Sequence, residues 1–192
     1  MAVDLFWLPL GAGGRVVAFN GRCYERMVAR WQHRSPADLY HAALTLETAS
    51  ARYVIELAPA LAMRGQPHGA VASGPVGWRG AGRWAALRYE VRAWQGGVIP
   101  DVEYAVDSPI RVSADPAVAA VLLCAAPQAP TLTWGRDERS TGDMWNSNSL
   151  VSWLLEQGGI DADADAIAVP AGGRAPGWQA GIAVARSGQT LS

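Results

Sequence analysis

From Leu39 to Ala58 the chain alternates with a period of two: Tyr40, Ala42, Leu44 and Leu46 are interleaved with His41, Ala43, Thr45 and Glu47. Successive side chains of a strand leave opposite faces, so this spacing prescribes a half-buried strand and excludes a helical stripe. Tyr53-Val54-Ile55-Glu56-Leu57 follows after a turn of small residues, and the two runs together predict a β-hairpin. Leu87, Tyr89, Val91 and Ala93 alternate in the same way with Arg88, Glu90, Arg92 and Trp94, closed by Gly96-Gly97. A first strand is expected within Met1–Leu10, ended by the turn Gly11-Ala12-Gly13-Gly14.

Helical spacing appears elsewhere. Asn20 can cap a helix whose apolar positions Tyr24, Met27, Val28 and Trp31 would lie on the sheet. Asp115-Pro116 is a well-formed start for a second helix, which should stop before Pro127. A third runs through Leu150, Val151, Leu154 and Leu155 to Gly158-Gly159. Residues 59–82, rich in Gly, Pro and Ala, read as an irregular surface loop able to act as a lid, Thr131–Trp134 as a short strand, and Ala180–Ala185 as a last strand. The expected fold is α+β, an antiparallel sheet of four to six strands with helices packed on it, in one domain spanning 1–192.

Composition narrows the function. With 192 residues, 50% of them hydrophobic and 17% charged, the chain can bury one sizeable core. A net charge of −1 supplies no basic field for nucleic acid. All 16 basic residues are arginine, which removes the lysine of phosphate loops, kinases and Schiff-base enzymes. Cys23 and Cys124 lie far apart on helical segments and read as reduced core residues. No apolar run reaches the ~18 residues of a membrane span, and the N-terminus lacks a basic region, so a cytoplasmic location is expected. Asp161-Ala162-Asp163-Ala164-Asp165 imitates a calcium loop, but Ala166 and Gly172 stand where glycine and a bidentate glutamate are needed. With no HExxH, no cysteine cluster and no Gly-x-Ser-x-Gly elbow, neither a metal, nor another cofactor, nor an α/β-hydrolase is expected.

The strongest chemical signal is Trp145-Asn146-Ser147-Asn148-Ser149 at the head of the third helix. All four polar residues are capping types, and capping alone accounts for them. The same N-terminus would also favour negative charge developing on a substrate held at Ser147. His41, on the more polar face of its strand beside the small Ala43, is the best general base among three histidines, and Glu56 on the next strand could orient it. Asn146, Trp145, Trp134 and Arg136 would line the pocket.

The runs Tyr40-His41-Ala42-Ala43-Leu44, Tyr53-Val54-Ile55-Glu56-Leu57-Ala58-Pro59 and Asn146-Ser147-Asn148-Ser149-Leu150-Val151-Ser152-Trp153-Leu154 resemble the circularly permuted papain-like superfamily of lecithin retinol acyltransferase and the NlpC-type peptidases. In that superfamily a histidine opens a strand, a polar residue follows on the next, and a cysteine nucleophile begins a late helix. The chain is also similar to uncharacterised bacterial families with Asn-Ser-Asn-Ser at this place. The resemblance implies a permuted papain-like fold and a hydrolase or acyltransferase acting on an amide or ester of a small molecule, peptide or lipid, with Ser147 as nucleophile, His41 as base and Glu56 as orienter. Serine in place of cysteine would need His41 to take its proton during attack. The alternative is a non-catalytic binding or interaction protein that keeps the fold and uses a tryptophan-rich cleft.

Overall fold

The computed structural model describes residues 2–11, 25–60, 69–99 and 101–189. Strand β1 (Ala2–Pro9) pairs antiparallel with β2 (Asp38–Glu47) in unbroken register from Ala2 opposite Glu47 to Pro9 opposite Tyr40. The hairpin partner β3 (Arg52–Pro59), then β4 (Ala70–Pro75), β5 (Arg88–Gln95) and β6 (Val106–Ser113), complete an antiparallel path in the order β4-β5-β3-β2-β1-β6. A two-residue strand, β7 (Gly173–Arg174), adds to the start of β2 in parallel, giving seven strands where four to six were expected.

The central strands are buried on both faces. Val3, Leu5, Trp7, Tyr40, Ala42, Leu44 and Leu46 belong to the main core, while Phe6, Leu8, Ala43, Val54 and Ile99 form a smaller cluster. Strand alternation sends these two sets to opposite sides. On the main side pack helices α2 (Pro116–Ala125), α3 (Ser147–Gln157) and α4 (Trp178–Gln189). Leu150, Val151, Leu154 and Leu155 are wholly buried, each contributing roughly 1.5–3 kcal/mol of transfer free energy. Asp115 caps α2 by accepting from Ala117 N at 2.8 Å, with Pro116 at the first helical position.

Several expectations are corrected. Ala180–Ala185 is helical, because its small residues serve a close helix crossing: a Cβ on Gly181 would stand 2.1 Å from Ser149 O and Ser152 Oγ of α3. The 59–82 segment contains β4, whose Gly74 lets the Tyr89 ring pass where a Cβ would meet it at 2.4 Å. Thr131–Trp134 makes only two isolated bridges, both at Trp134, one to Val76 and one to Trp145. The first helix (α1, helical over 25–31) buries Glu25 and Ala29 and leaves Met27 and Trp31 exposed, so its anchor is polar. Cys124 is exposed on the outer side of α2. Asn20, Cys23, Tyr24, Met63 and His68 lie outside the described residues. Among the described residues no helix is long and apolar enough to cross a membrane.

Candidate functional site

The N-terminus of α3 is a dense polar node. Asn146 Oδ1 accepts from the N–H groups of Asn148 (2.9 Å) and Ser149 (3.3 Å), while Ser149 Oγ accepts from Asn146 N at 3.0 Å. This reciprocal capping box satisfies donors that a helix start leaves open. The same side chains then reach outward. Asn146 Nδ2 donates to Pro176 O at 2.7 Å, Ser149 Oγ to Gly177 O at 2.7 Å and Ser152 Oγ to Trp178 O at 2.7 Å, tying α3 to the segment that opens α4. Gly177, at φ +90°, has no space for a Cβ, which would stand 2.3 Å from Asn146 Oδ1. Its N–H donates to Asp143 Oδ2 at 2.6 Å, and burial raises the Asp143 carboxyl above its ordinary pKa against the pull of these N–H donors.

Asn148 carries the longest reach. Its Oδ1 accepts from Ala42 N at 2.8 Å and its Nδ2 donates to Tyr40 O at 3.0 Å and Pro176 O at 2.8 Å. Beyond Leu44 opposite Ile55, β3 no longer pairs with β2, and β7 pairs only at Asp38 and Leu39. A carboxamide has the donor and acceptor of a peptide group, so Asn148 occupies the gap as one residue of a neighbouring strand would.

Ser147 follows a different course. It is half-buried at the first turn of α3, and its hydroxyl makes no hydrogen bond among the described residues. His41 pairs with Leu8 across β1–β2 and shares the face of Phe6, Leu8 and Ala43, whereas its neighbours Tyr40 and Ala42 face the core under α3. The imidazole and the Ser147 hydroxyl thus leave opposite sides of the sheet, and no hydrogen bond joins them. Burial pushes the His41 pKa down to about 4, against the opposing charge of Asp101. A group that acidic is a weak proton acceptor near neutrality.

Glu56 stands on β3 directly opposite Arg92 of β5 and is paired with that guanidinium at 3.5 Å, not with His41. Arg92, only 1% exposed, also bonds Pro59 O at 3.1 Å and Glu90 at 3.3 Å. Burial raises the Glu56 carboxyl, with Arg92 pulling the other way. Strand alternation places Glu56 on the His41 side, yet its engagement with Arg92 makes it part of a sheet-internal ion cluster.

The expected pocket residues divide. Trp145 is 1% exposed and sits in the core, with Gly135 N donating to its carbonyl at 2.8 Å. Trp134 lies edge-on to Tyr89 with ring centroids 5.9 Å apart. Arg136 is exposed and its Nε donates to Gly77 O at 2.7 Å. That contact places it beside a surface formed by residues 78–84, which begins within the 59–82 segment expected to be a loop and runs past its end. Trp78 and Trp84 are 59% and 54% exposed there, next to Arg79 and Arg83, and the Arg83 guanidinium lies 5.7 Å from the Trp84 ring centroid.

A second polar centre had no local signal in the sequence. Glu25, 2% exposed, receives hydrogen bonds from Arg34, from Arg174 at 3.0 Å and from Ala37 N at 2.9 Å. Burial alone would raise its pKa, but the Arg34 and Ala37 hydrogen bonds and the arginine charges bring it below the ordinary value. Asp161 and Asp163 are likewise engaged by Arg186, at 2.9 and 3.4 Å. Among the described residues no group of three or more His, Cys, Asp or Glu could hold a metal ion. No family model, curated protein or solved structure matches the chain.

Proposed function

We propose that the chain is a non-catalytic binding protein on a permuted papain-like scaffold, whose ligand surface is the Trp78–Leu87 segment with Arg136 beside it. The observation that carries this reading is the pairing of two half-exposed indoles with Arg83 and Arg136, beside Arg79, which is itself held by Glu138 at 2.9 Å. The segment 76–89 holds three arginines and no acidic residue. Exposed indoles and guanidiniums are the groups that most often anchor protein contacts, and together they suit an anionic peptide bearing apolar side chains. The permuted scaffold is supported by the order of the β2–β3 hairpin and the late α3, whose N-terminus abuts β2 through Asn148. The test is a tryptophan-fluorescence titration with an acidic peptide of alternating glutamate and phenylalanine. Saturable binding that falls about tenfold in Trp84→Ala and Arg83→Ala, and weakens with salt, is expected. Absence of saturation, or binding by both variants as tight as that of the native chain, overturns the assignment.

One observation favours a second reading, in which Ser147 is a nucleophile. Of the residues Asn146 to Ser149, it alone keeps its side chain uncommitted, at the positive end of the α3 dipole, although the N–H groups of Asn148 and Ser149 are taken by Asn146 Oδ1. Fluorophosphonate labelling separates the two readings. Labelling that is lost in Ser147→Ala and persists in Cys124→Ala replaces the binding proposal with hydrolysis or acyl transfer at Ser147, and an unlabelled, folded native chain removes the nucleophile.

A further inference from the structure

Arg88, at the start of β5, is half-buried, its Nε is shut off from solvent without an acceptor, and no hydrogen bond or ion pair reaches its side chain. Every other described arginine either bonds a carboxylate or a carbonyl or stands exposed. Glu56 and Glu90, which leave the sheet on the same side as Arg88, are both taken by Arg92. A cation partly stripped of water and given no anion in return is costly to keep. Register also places it on the side of the Trp84 turn. Arg88 stands directly opposite Pro75 of β4, so both side chains leave one face, whereas Gly74 and the Tyr89 ring meet on the other. A Cβ on Gly82 would lie 3.4 Å from Pro75 Cβ, so the turn 79–83 packs over the Arg88 face, and Trp84 follows directly.

We propose that Arg88 is the specificity-determining residue of the ligand surface, its guanidinium taking one carboxylate of the acidic peptide while Trp84 covers the apolar side chain next to it. This role rests on the binding reading of the Trp78–Leu87 segment. Arg83 and Arg136 are exposed and already bond Gly80 O and Gly77 O, so their charges draw an acidic ligand toward the surface. Arg88 is partly out of water, where a charge pair is screened less and a planar carboxylate accepts two parallel N–H bonds, which fixes its position. A single guanidinium two residues from Glu90 suits a carboxylate and disfavours a dianionic phosphate.

Calorimetric titration of the full-length chain with the glutamate–phenylalanine peptide tests this in the native chain, Arg88→Gln, Arg88→Lys and Arg52→Gln, the last removing an exposed charge from the first residue of β3. Kd should rise about tenfold in Arg88→Gln and about threefold in Arg88→Lys, which keeps the charge and loses the fork, and stay within about twofold in Arg52→Gln. The melting temperature of Arg88→Gln should hold, since the side chain bonds nothing within the chain. Replacing the peptide glutamates one at a time by glutamine should reveal one whose loss weakens binding to the native chain and has no further effect on Arg88→Gln, a coupling that a merely structural arginine does not give. Native binding that Trp84→Ala weakens and Arg88→Gln leaves unchanged overturns the role of Arg88 alone. A native chain that does not bind the peptide overturns the binding reading itself, and the role of Arg88 with it.

Discussion

At the residue scale, His41 is a half-buried base held neutral. Its ordinary pKa of 6.5 falls to about 4 in the fold, chiefly through burial, so between those values the unfolded chain takes up a proton that the folded chain refuses. Stability from this group is complete above pH 6.5 and is lost as pH falls toward 4, by up to roughly 3 kcal/mol. Urea midpoints measured between those pH values should therefore fall in the native chain and flatten in His41→Leu, whose side chain matches the neighbouring Leu8 and Phe6. An unchanged slope in the variant would assign the acid sensitivity to other groups. Glu25 acts in a lower window. Its pKa is depressed, so its ion pairs stabilise above the ordinary 4.5 and fail as pH falls through the folded value. A loss of stability confined to the region below pH 4.5, and absent in Glu25→Gln, is the expected signature.

At the element scale, the α3–α4 crossing depends on Gly181. Any side chain there meets Ser149 O and Ser152 Oγ at 2.1 Å, so Gly181→Ala should cost about 2–3 kcal/mol in thermal or chemical melts, where an exposed helical Gly→Ala would stabilise. Retained stability would mean that the helices slide apart at little cost. The same crossing explains what the sequence did and did not disclose. β1, the β2–β3 hairpin, β5, the cap of α2 and the start of α3 follow from period and capping, which are local rules. Ala180-Gly181-Ile182-Ala183-Val184-Ala185 resembles a strand by composition, and becomes a helix because its small residues are needed by a distant partner, Ser149 and Ser152 of α3. The candidate site was legible only as a cap. That Asn148 reaches Ala42, 106 residues away, and that Arg174 reaches Glu25, 149 residues away, depends on tertiary placement.

At the scale of the whole molecule, the Glu25 centre binds three distant parts together: α1, the turn leading into β2, and β7. Replacing Arg174 by methionine removes one of the two guanidiniums from a buried carboxylate and should cost about 1–3 kcal/mol. Cleavage by trypsin after Arg26 and Arg30 should then accelerate relative to cleavage after Arg186, read by mass spectrometry. Equal rates in native and variant chains would show that α1 is held by other contacts. Asn148 has a comparable reach with a different outcome. Because its amide covers the backbone of β2 between β3 and β7, removing it uncovers a short length of strand edge in the middle of a sheet, where natural proteins ordinarily permit none. Asn148→Ala should thus lower the melting temperature, because Ala42 N and Tyr40 O are left buried without partners, and should alter colloidal behaviour as well. Strand exchange between molecules and fibrillar deposits with thioflavin fluorescence are expected on storage, which makes one buried carboxamide a guard of the protein's solubility.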